Sequence, residues 1–460
     1  DIFYKFNPTL TGVLTLNTDF SDTEVDDRQL NLTRFSLFFP EKRNFFLQDM
    51  DIFSFANYDQ WNRNANPFFT RRIGLSATGQ PIDINSGLKL TGRSGRLNIG
   101  VLGVQQDSHQ SLDKSDLFVA RVMANILDES NIGLLFTSGN PRSNLDNKVA
   151  GLDFRYRNTS IYPSKRVEGD IWYTATDTPG VDQDQDTLGV TFAIQGEEGI
   201  RGKIEYEVVE KNYNPALGFV NRKDFKRARW WTGYRRNFDN HPWIRSAELF
   251  ISTQSHNNDQ TGNLESYYGF IRPIRLITRS GHNYSVAFNK ITEVLTEPFE
   301  VSKGVIIPIG SHSYDEWQIE ADFSQNSSFS PKIVVKGGEF YNGTKNDLEA
   351  TLRWRPSNKF FLSSSIKNYD VDLPNGNFTT RLVQISSNYN FTNRLYLYAS
   401  FQYDNTSSNV GFNTRLRFNR EAGENFYLVF DHNANTLDNF SRFNSTYSQF
   451  SIKYSKTFRY

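Results

Sequence analysis

Cysteine is absent from this 460-residue chain. That removes disulfides, thiolate metal sites and c-type haem attachment. Long apolar runs are missing as well. No stretch approaches the ~18–20 apolar residues that a membrane-spanning helix needs, which excludes a helical membrane protein. Hydrophobic residues make up only 37% of the chain, and its mean hydropathy is −0.57. An excess of one charge sign is missing too. The 51 basic residues balance 51 acidic ones, so nothing points to nucleic acid as a partner. There is no G-x-S-x-G, Walker or zincin motif. The histidines, His109, His241, His256, His282, His312 and His432, do not pair at metal-ligand spacing. Asp182-Gln-Asp-Gln-Asp186 resembles the start of a calcium loop. However, Thr187 stands where position 6 needs Gly, and Ala193 where position 12 needs Glu. A solvated acidic loop is the expectation, with no metal and no cofactor.

What the chain does have is aromatics and alternation. Aromatic residues reach 15%, with 39 Phe, 22 Tyr and 7 Trp. Near the C-terminus, Phe450, Ile452 and Tyr454 alternate with Ser451, Lys453 and Ser455, and Phe458 and Tyr460 follow. Period-2 patterning of this kind predicts a strand with one apolar face and one wet face. It recurs along nearly the whole chain. Leu152, Phe154 and Tyr156 alternate with Asp153, Arg155 and Arg157. Ile204, Tyr206 and Val208 alternate with Lys203, Glu205 and Glu207. Trp317, Ile319, Ala321 and Phe323 alternate with Glu316, Gln318, Glu320 and Asp322.

A polar, aromatic-rich, alternating chain fits a transmembrane β-barrel, whose strands face lipid on one side and a polar lumen on the other. The predicted fold is therefore all-β: one large antiparallel barrel over residues 1–460, with about 24 strands (range 22–26). The pattern is weakest at Lys290–Ser313 and around Asn214–Lys226. Short connections at Pro356–Asn358, Thr392–Asn393 and Asn419–Glu424 read as periplasmic turns. Tyr369–Gly376 and Asn433–Asn444 read as longer extracellular loops. This parity predicts a periplasmic C-terminus in the outer membrane of a Gram-negative bacterium. A barrel must cross the inner membrane, so a processed form with a signal segment upstream is expected. The terminal aromatics Phe458 and Tyr460 resemble the C-terminal assembly signal of outer-membrane barrels. The expected surroundings are the bilayer, lipopolysaccharide and the barrel assembly machinery.

One interval breaks the alternation. Residues 40–81 hold Phe45, Phe46, Phe53, Phe55, Trp61, Phe68 and Phe69 among charges of both signs. A long insert without strands is usually functional or separately packed, and its aromatic density argues against disorder. An ordered insert after the second strand is predicted, serving as a lumenal plug or lid. Its candidate residues are Glu41, Lys42, Arg43, Trp61, Arg71 and Arg72. Ion pairing within the barrel is the structural reading of these charges, and a ligand or gating role the functional one. Arg227, Arg229 and Arg235 share one face of a strand and are candidates for a basic lumen lining, unless acidic neighbours such as Glu316, Glu320 and Asp322 neutralise them.

Several motifs follow one another in order: Asp19-Phe-Ser, Asn31-Leu-Thr-Arg-Phe35, Phe38-Phe-Pro-Glu-Lys-Arg43-Asn-Phe-Phe-Leu47, Asp51-Ile-Phe53, Phe68-Phe-Thr-Arg-Arg-Ile-Gly74 and Gly87-Leu-Lys-Leu-Thr-Gly92. Over roughly Asn7–Gly103 this set resembles the DUF5916 family of Gram-negative bacteria. The resemblance implies an outer-membrane barrel and no established activity. In that family the barrel follows a module similar to family 9 carbohydrate-binding modules. That module is absent from this chain, so no residue here is assigned to sugar binding. The functional expectation is a gated or plugged conduit for a polar solute, with a glycan suggested by the family module. The alternative is a non-conducting scaffold or receptor for a surface or periplasmic protein. No enzymatic activity is expected, an outer-membrane hydrolase being the residual option.

Overall fold

A computed structural model describes the chain except residues 19, 21–22, 57–63, 78, 438–441 and 459–460. Among the described residues the fold is all-β. In chain order the first strands are β1 (Ile2–Asn7), β2 (Leu10–Leu16), β3 (Ile84–Ser94), β4 (Leu97–Gln106), β5 (Ser115–Ile126), β6 (Ser130–Ser138), β7 (Lys148–Tyr162), β8 (Lys165–Asp177), β9 (Asp186–Gly196) and β10 (Gly199–Val209). There follow β11 (Phe225–Asn237), β12 (Ile244–Asn258), β13 (Leu264–Thr278), β14 (Asn283–Leu295), β15 (Phe299–Ser302), β16 (Val305–Ile307), β17 (Gly310–Asp322) and β18 (Phe329–Phe340). The last are β19 (Gly343–Trp354), β20 (Phe360–Leu373), β21 (Gly376–Asn390), β22 (Leu395–Asp404), β23 (Asn409–Glu421), β24 (Glu424–Leu437) and β25 (Arg442–Lys456). A single helical turn, α1 (Asn44–Leu47), and two 3-10 turns lie between β2 and β3.

Among the described residues, 23 strands belong to one antiparallel sheet, within the expected range, and β15 and β16 form a separate ribbon. The chain divides into two compact units. Unit 1 comprises Asp1–Phe20, Phe35–Gly233 and Ser252–Tyr267; unit 2 comprises Ser21–Arg34, Tyr234–Ile251 and Tyr268–Tyr460. In unit 1, β1 to β10 pair antiparallel in sequence order, for example with Asp153 opposite Trp172 and Tyr206 opposite Val190.

The two faces of the sheet are inverted relative to a soluble protein. In unit 1, Leu152 is 46% exposed while its neighbour Asp153 is 4% exposed. On β10, Ile204 and Tyr206 are exposed and Lys203, Glu205 and Glu207 are buried. On β9, Leu188, Val190 and Phe192 are exposed and Thr187 and Thr191 are buried. Unit 2 repeats this: Trp317 and Ile319 are exposed beside buried Glu316, and Leu348 beside buried Asp347. In water this pattern would forgo roughly 1.5–3 kcal/mol for each Leu, Ile or Phe side chain left out of a core. A sheet that conceals its charges and presents its apolar side chains is built for an apolar solvent.

The connections of unit 1 alternate in length. Those at 95–96, 127–129, 163–164 and 197–198 are tight; those at 107–114, 139–147, 178–185 and 210–224 are longer. In unit 2 the expected long loop at Tyr369–Gly376 is instead a two-residue turn, because β20 runs to Leu373 and β21 starts at Gly376. Likewise β24 continues to Leu437 and β25 starts at Arg442, so most of Asn433–Asn444 is strand. The sequence reading ended these strands at the apolar band, whereas the ladder extends past it through polar residues. The blurred stretch Lys290–Ser313 resolves into the end of β14, the β15–β16 ribbon and the start of β17. The ribbon packs through Val301, Val305 and Ile307 on Leu295, Tyr314, Phe340 and Leu373 of its unit. Strand β25 exposes Phe450, Ile452 and Tyr454. Phe458 lies just beyond its end, and Tyr460 falls outside the described residues.

Candidate functional site

The candidate site is the concealed face of unit 1, where the segment between β2 and β3 packs on the strands. The wall is shaped to receive it. Phe45, Phe46, Phe53, Phe55 and Phe68 are buried against Leu102, Val104, Leu117, Val119 and Leu135, which point inward from β4, β5 and β6. Two wall glycines are required by this approach. A Cβ on Gly100 would come within 3.0 Å of Ile52 and Phe53, and one on Gly151 within 2.9 Å of Phe55. The five buried phenylalanines account for roughly 8–15 kcal/mol of transfer free energy, an upper bound because an unfolded chain already hides part of that surface.

Buried charges then fix the register of the insert. Lys89 on β3 donates from Nζ to the carbonyls of Phe45 (2.5 Å) and Gln48 (2.8 Å), satisfying the end of α1. Arg121 on β5 meets Asp153 on β7 as a bidentate pair at 2.6 and 2.9 Å. Asp153 also accepts the backbone N–H of Ala56 at 2.9 Å, and Arg155 donates to the Ala56 carbonyl at 2.9 Å. Arg155 is held in turn by Asp170 at 3.1 Å, and Asp170 accepts from Thr191 at 2.8 Å. One residue of the insert is thus gripped through both its backbone groups by side chains from β7, which β5, β8 and β9 orient.

At its other end the insert is stitched to the connection 210–224. Asn66 and Phe219 exchange backbone hydrogen bonds at 3.0 and 2.8 Å, and Phe69 N–H donates to Leu217 O at 2.7 Å. Phe38, Phe69 and Phe219 stack edge-on or tilted, with centroids 4.7–5.7 Å apart. Tyr213 is fully buried, accepts from Thr174 at 2.9 Å and donates to Ala65 O at 3.4 Å. Burial raises its phenol above the ordinary range. The blurred pattern around Asn214–Lys226 is therefore an ordered connection shaped to the insert.

The predicted residues separate. Glu41 and Arg43 form a buried pair at 2.7 Å, and Glu41 also accepts the backbone N–H groups of Lys42 and Arg43 at 3.0 and 2.9 Å. Arg43 donates to Ile73 O (2.7 Å) and Thr70 O (2.9 Å) and lies 4.3 Å over Phe46. It is a corner brace. Burial by itself would raise the Glu41 carboxyl, but Arg43 and these donors outweigh it and hold the carboxyl below its usual range. A depressed folded-state pKa contributes stability above the unfolded value and loses it as pH falls through the folded one. Hydrogen exchange at the Lys42 and Arg43 amides should therefore accelerate as pH drops below the ordinary carboxylate range, after correction for intrinsic exchange. Glu41→Gln should flatten that dependence. An unchanged profile in the variant would refute the assignment.

Lys42 is half-buried, and Arg71 donates a long bond to Pro40 O at 3.3 Å. Arg72 diverges from Arg71, donating from Nε to Gly218 O at 2.6 Å. Trp61 lies outside the described residues. On β11 the candidate basic stripe does share the concealed face, but as a paired network. Arg227 meets Glu205 and Glu207, and Lys203 meets Glu205 at 2.9 Å. Arg229 is half-buried within electrostatic range of Glu205. In unit 2, Arg235 and Arg272 share Glu248 at 2.9 and 2.7 Å. The acidic residues expected to neutralise the stripe have other partners: Glu316 holds Lys345, Glu320 holds Lys332, and Asp322 lies near Arg353.

Sequence reasoning missed Lys89, Arg121, Asp153 and the inward apolar patch. The patch had a signal: Val101-Leu102, Leu117-Phe-Val-Ala120 and Leu134-Leu-Phe136 are apolar on both faces, as strands covered on both sides are. It also missed a strap in unit 2. There Arg28 pairs with Asp404 at 2.8 Å, bonds Asn409, and places its own amide on Gln402 Oε1 at 2.7 Å. Gln384 and Gln402 donate back to the carbonyls of Arg28 and Asp26, both at 3.3 Å. Beside the strap is a cavity of about 170 Å³, lined by Arg28, Gln402, Asn413, Asp431 and Asn433 among others.

A family model described as Domain of unknown function (DUF5916) matches residues 1–97. No curated protein matches. Among solved structures, the chain is similar to the ferric-catecholate import receptor Fiu of E. coli K12, at 10% identity and a TM-score of 0.42, covering 77% of this chain and 68% of that one. The copper transporter OprC gives 10% identity and a TM-score of 0.41 over 81% and 69%. The ferric citrate transporter FecA gives 10% identity and 0.41 over 81% and 68%.

Proposed function

We propose that the sheet closes as a barrel in a Gram-negative outer membrane and acts as a plugged conduit for a polar solute. The observation that carries this reading is the inverted burial: charges and hydroxyls are concealed, while Leu, Ile, Phe and Trp are presented outward. The bilayer, and lipopolysaccharide in its outer leaflet, are the partners of that outward face. Short turns at one end of unit 1 and long connections at the other fit periplasmic and extracellular ends. A periplasmic C-terminus, presented to the assembly machinery with Phe458 and Tyr460, belongs to the same reading.

The insert 40–81 is the plug in this proposal. Its apolar anchorage of several side chains far exceeds that of the strap. The Arg28–Asp404 pair is partly exposed, and such pairs contribute about 0–1 kcal/mol. In this proposal the strap, held by the polar contacts of Arg28 with Asp404, Asn409 and Gln402, is the part that moves first, and the insert the part that stays. The lining it would uncover, Gln384, Gln402, Asn413, Asp431 and Asn433, is rich in amides and suits the hydroxyls of a glycan. No catalytic role is proposed: the buried carboxylates Glu41, Asp153, Asp170 and Glu205 are engaged in ion pairs.

The test is depth. Single-tryptophan variants are reconstituted in bilayers with brominated acyl chains. Fluorescence should be quenched strongly at Trp230, Trp317 and Trp354, which are exposed, and weakly at buried Trp172. Equal quenching at all four positions, or none, would refute a lipid-facing outer surface.

A further inference from the structure

The connection 139–147 brings a second guanidinium to the insert. Gly74 N–H donates to Gln106 Oε1 at 2.8 Å, and Gln106 Nε2 donates to the Pro141 carbonyl at 2.8 Å. One buried glutamine thus ties the segment after Arg72 to the residue before Arg142. Arg142 donates from Nε to Leu75 O at 3.3 Å, as Arg72 does to Gly218 O. Both anchoring bonds use Nε, and among the described residues the Nη groups have no protein acceptor. Arg72 also lies 5.7 Å from the centre of the Phe219 ring.

Other arginines of this face meet carboxylates: Arg43 meets Glu41, Arg121 meets Asp153, Arg155 meets Asp170, and Arg227 meets Glu205. Among the described residues, Arg72 and Arg142 form no ion pair. Burial, then the neighbouring Arg72, lower the Arg142 guanidinium to about 10, and burial lowers Arg72 as well. Two like charges are held together, partly desolvated, with their forks open.

We propose that Arg72 and Arg142 form a binding site for a soluble oxyanion, a carboxylate or phosphate group. Planar guanidinium forks match such groups with paired, charge-assisted hydrogen bonds. The anion would relieve the repulsion between the two cations. Both residues lie outside the strands, in the insert and a connection, which places the ligand in solution rather than among lipid headgroups. The site stands whether or not the sheet conducts.

The experiment is thermal unfolding of the full chain in zwitterionic detergent, titrating sodium phosphate against sodium chloride at constant ionic strength. Phosphate should raise the Tm progressively, as a ligand of the folded state does. Arg142→Gln should weaken the response by about tenfold or more, since one of two charge-assisted forks is lost. In chloride alone it should unfold at the same or a higher temperature, because repulsion is relieved; a purely structural arginine would give the opposite. Arg142→Lys keeps the charge without the fork and should bind phosphate less tightly than the parent. No phosphate effect on the parent, an effect undiminished in either variant, or a lower Tm of Arg142→Gln in chloride would overturn the site. A response only when phosphatidylglycerol is added to the micelles would overturn the soluble anion.

Discussion

Deleting Asp49–Asn66 and bridging the ends with a short Gly/Ser linker should leave the sheet assembled and raise its single-channel conductance in planar bilayers. The deletion removes Phe53 and Phe55 from the apolar patch and Ala56 from the Arg155–Asp153 grip. It spares the Glu41–Arg43 brace and both carbonyls that hold Lys89. The wall left bare keeps its own bidentate Arg121–Asp153 pair, so the strands retain a satisfied interior. Heat-dependent mobility on SDS gels reports that the sheet is intact. With that control passed, a large and equal conductance in parent and deletion means the insert restricts nothing. Both remaining closed would mean that another segment occludes the path, which favours the non-conducting scaffold. Only an increase on deletion supports the plug.

Asp153→Ala should be the most destabilising single substitution on the concealed face. Arg121 and Asp153 are 1% and 4% exposed, and removing one partner of a buried pair leaves an uncompensated charge at a cost of about 3–5 kcal/mol. The Ala56 N–H loses its acceptor in the same step, a further cost of about 1–3 kcal/mol if it stays buried and unsatisfied. Asp153→Asn keeps an acceptor for Ala56 and one bond to Arg121, and should lose less. Urea unfolding in detergent micelles checks the order. If alanine and asparagine variants unfold together near the parent midpoint, the pair does not hold the wall and insert as described. Gly133 on β6, opposite Asp153, leaves room for the guanidinium that reaches it: a Cβ there would lie 2.4 Å from Arg121 Nη1.

The strands were legible in the sequence because period-2 alternation is a local property. Ile204, Tyr206 and their charged neighbours declare two faces without reference to any other segment. The insert was legible for the same reason, as the place where alternation stops while aromatics persist. The Glu41–Arg43 brace spans two residues and could be anticipated from Phe38–Leu47. In unit 2 the short connections around Pro356–Asn358, Thr392–Asn393 and Asn419–Glu424 were legible, but the two longer loops were not, since a polar strand extension and a polar loop share a composition, and only the ladder distinguishes them.

Alternation by itself determined which residues share a face, and that the exposed face is the apolar one. It could not determine what covers the other face. That was decided by register and chain path. Arg121 meets Asp153, Lys89 caps α1, and Arg142 joins Arg72, across separations that carry no local pattern. Each of these contacts exists because a strand or connection delivers one side chain to a point fixed by distant backbone, and buried charge tolerates few other arrangements.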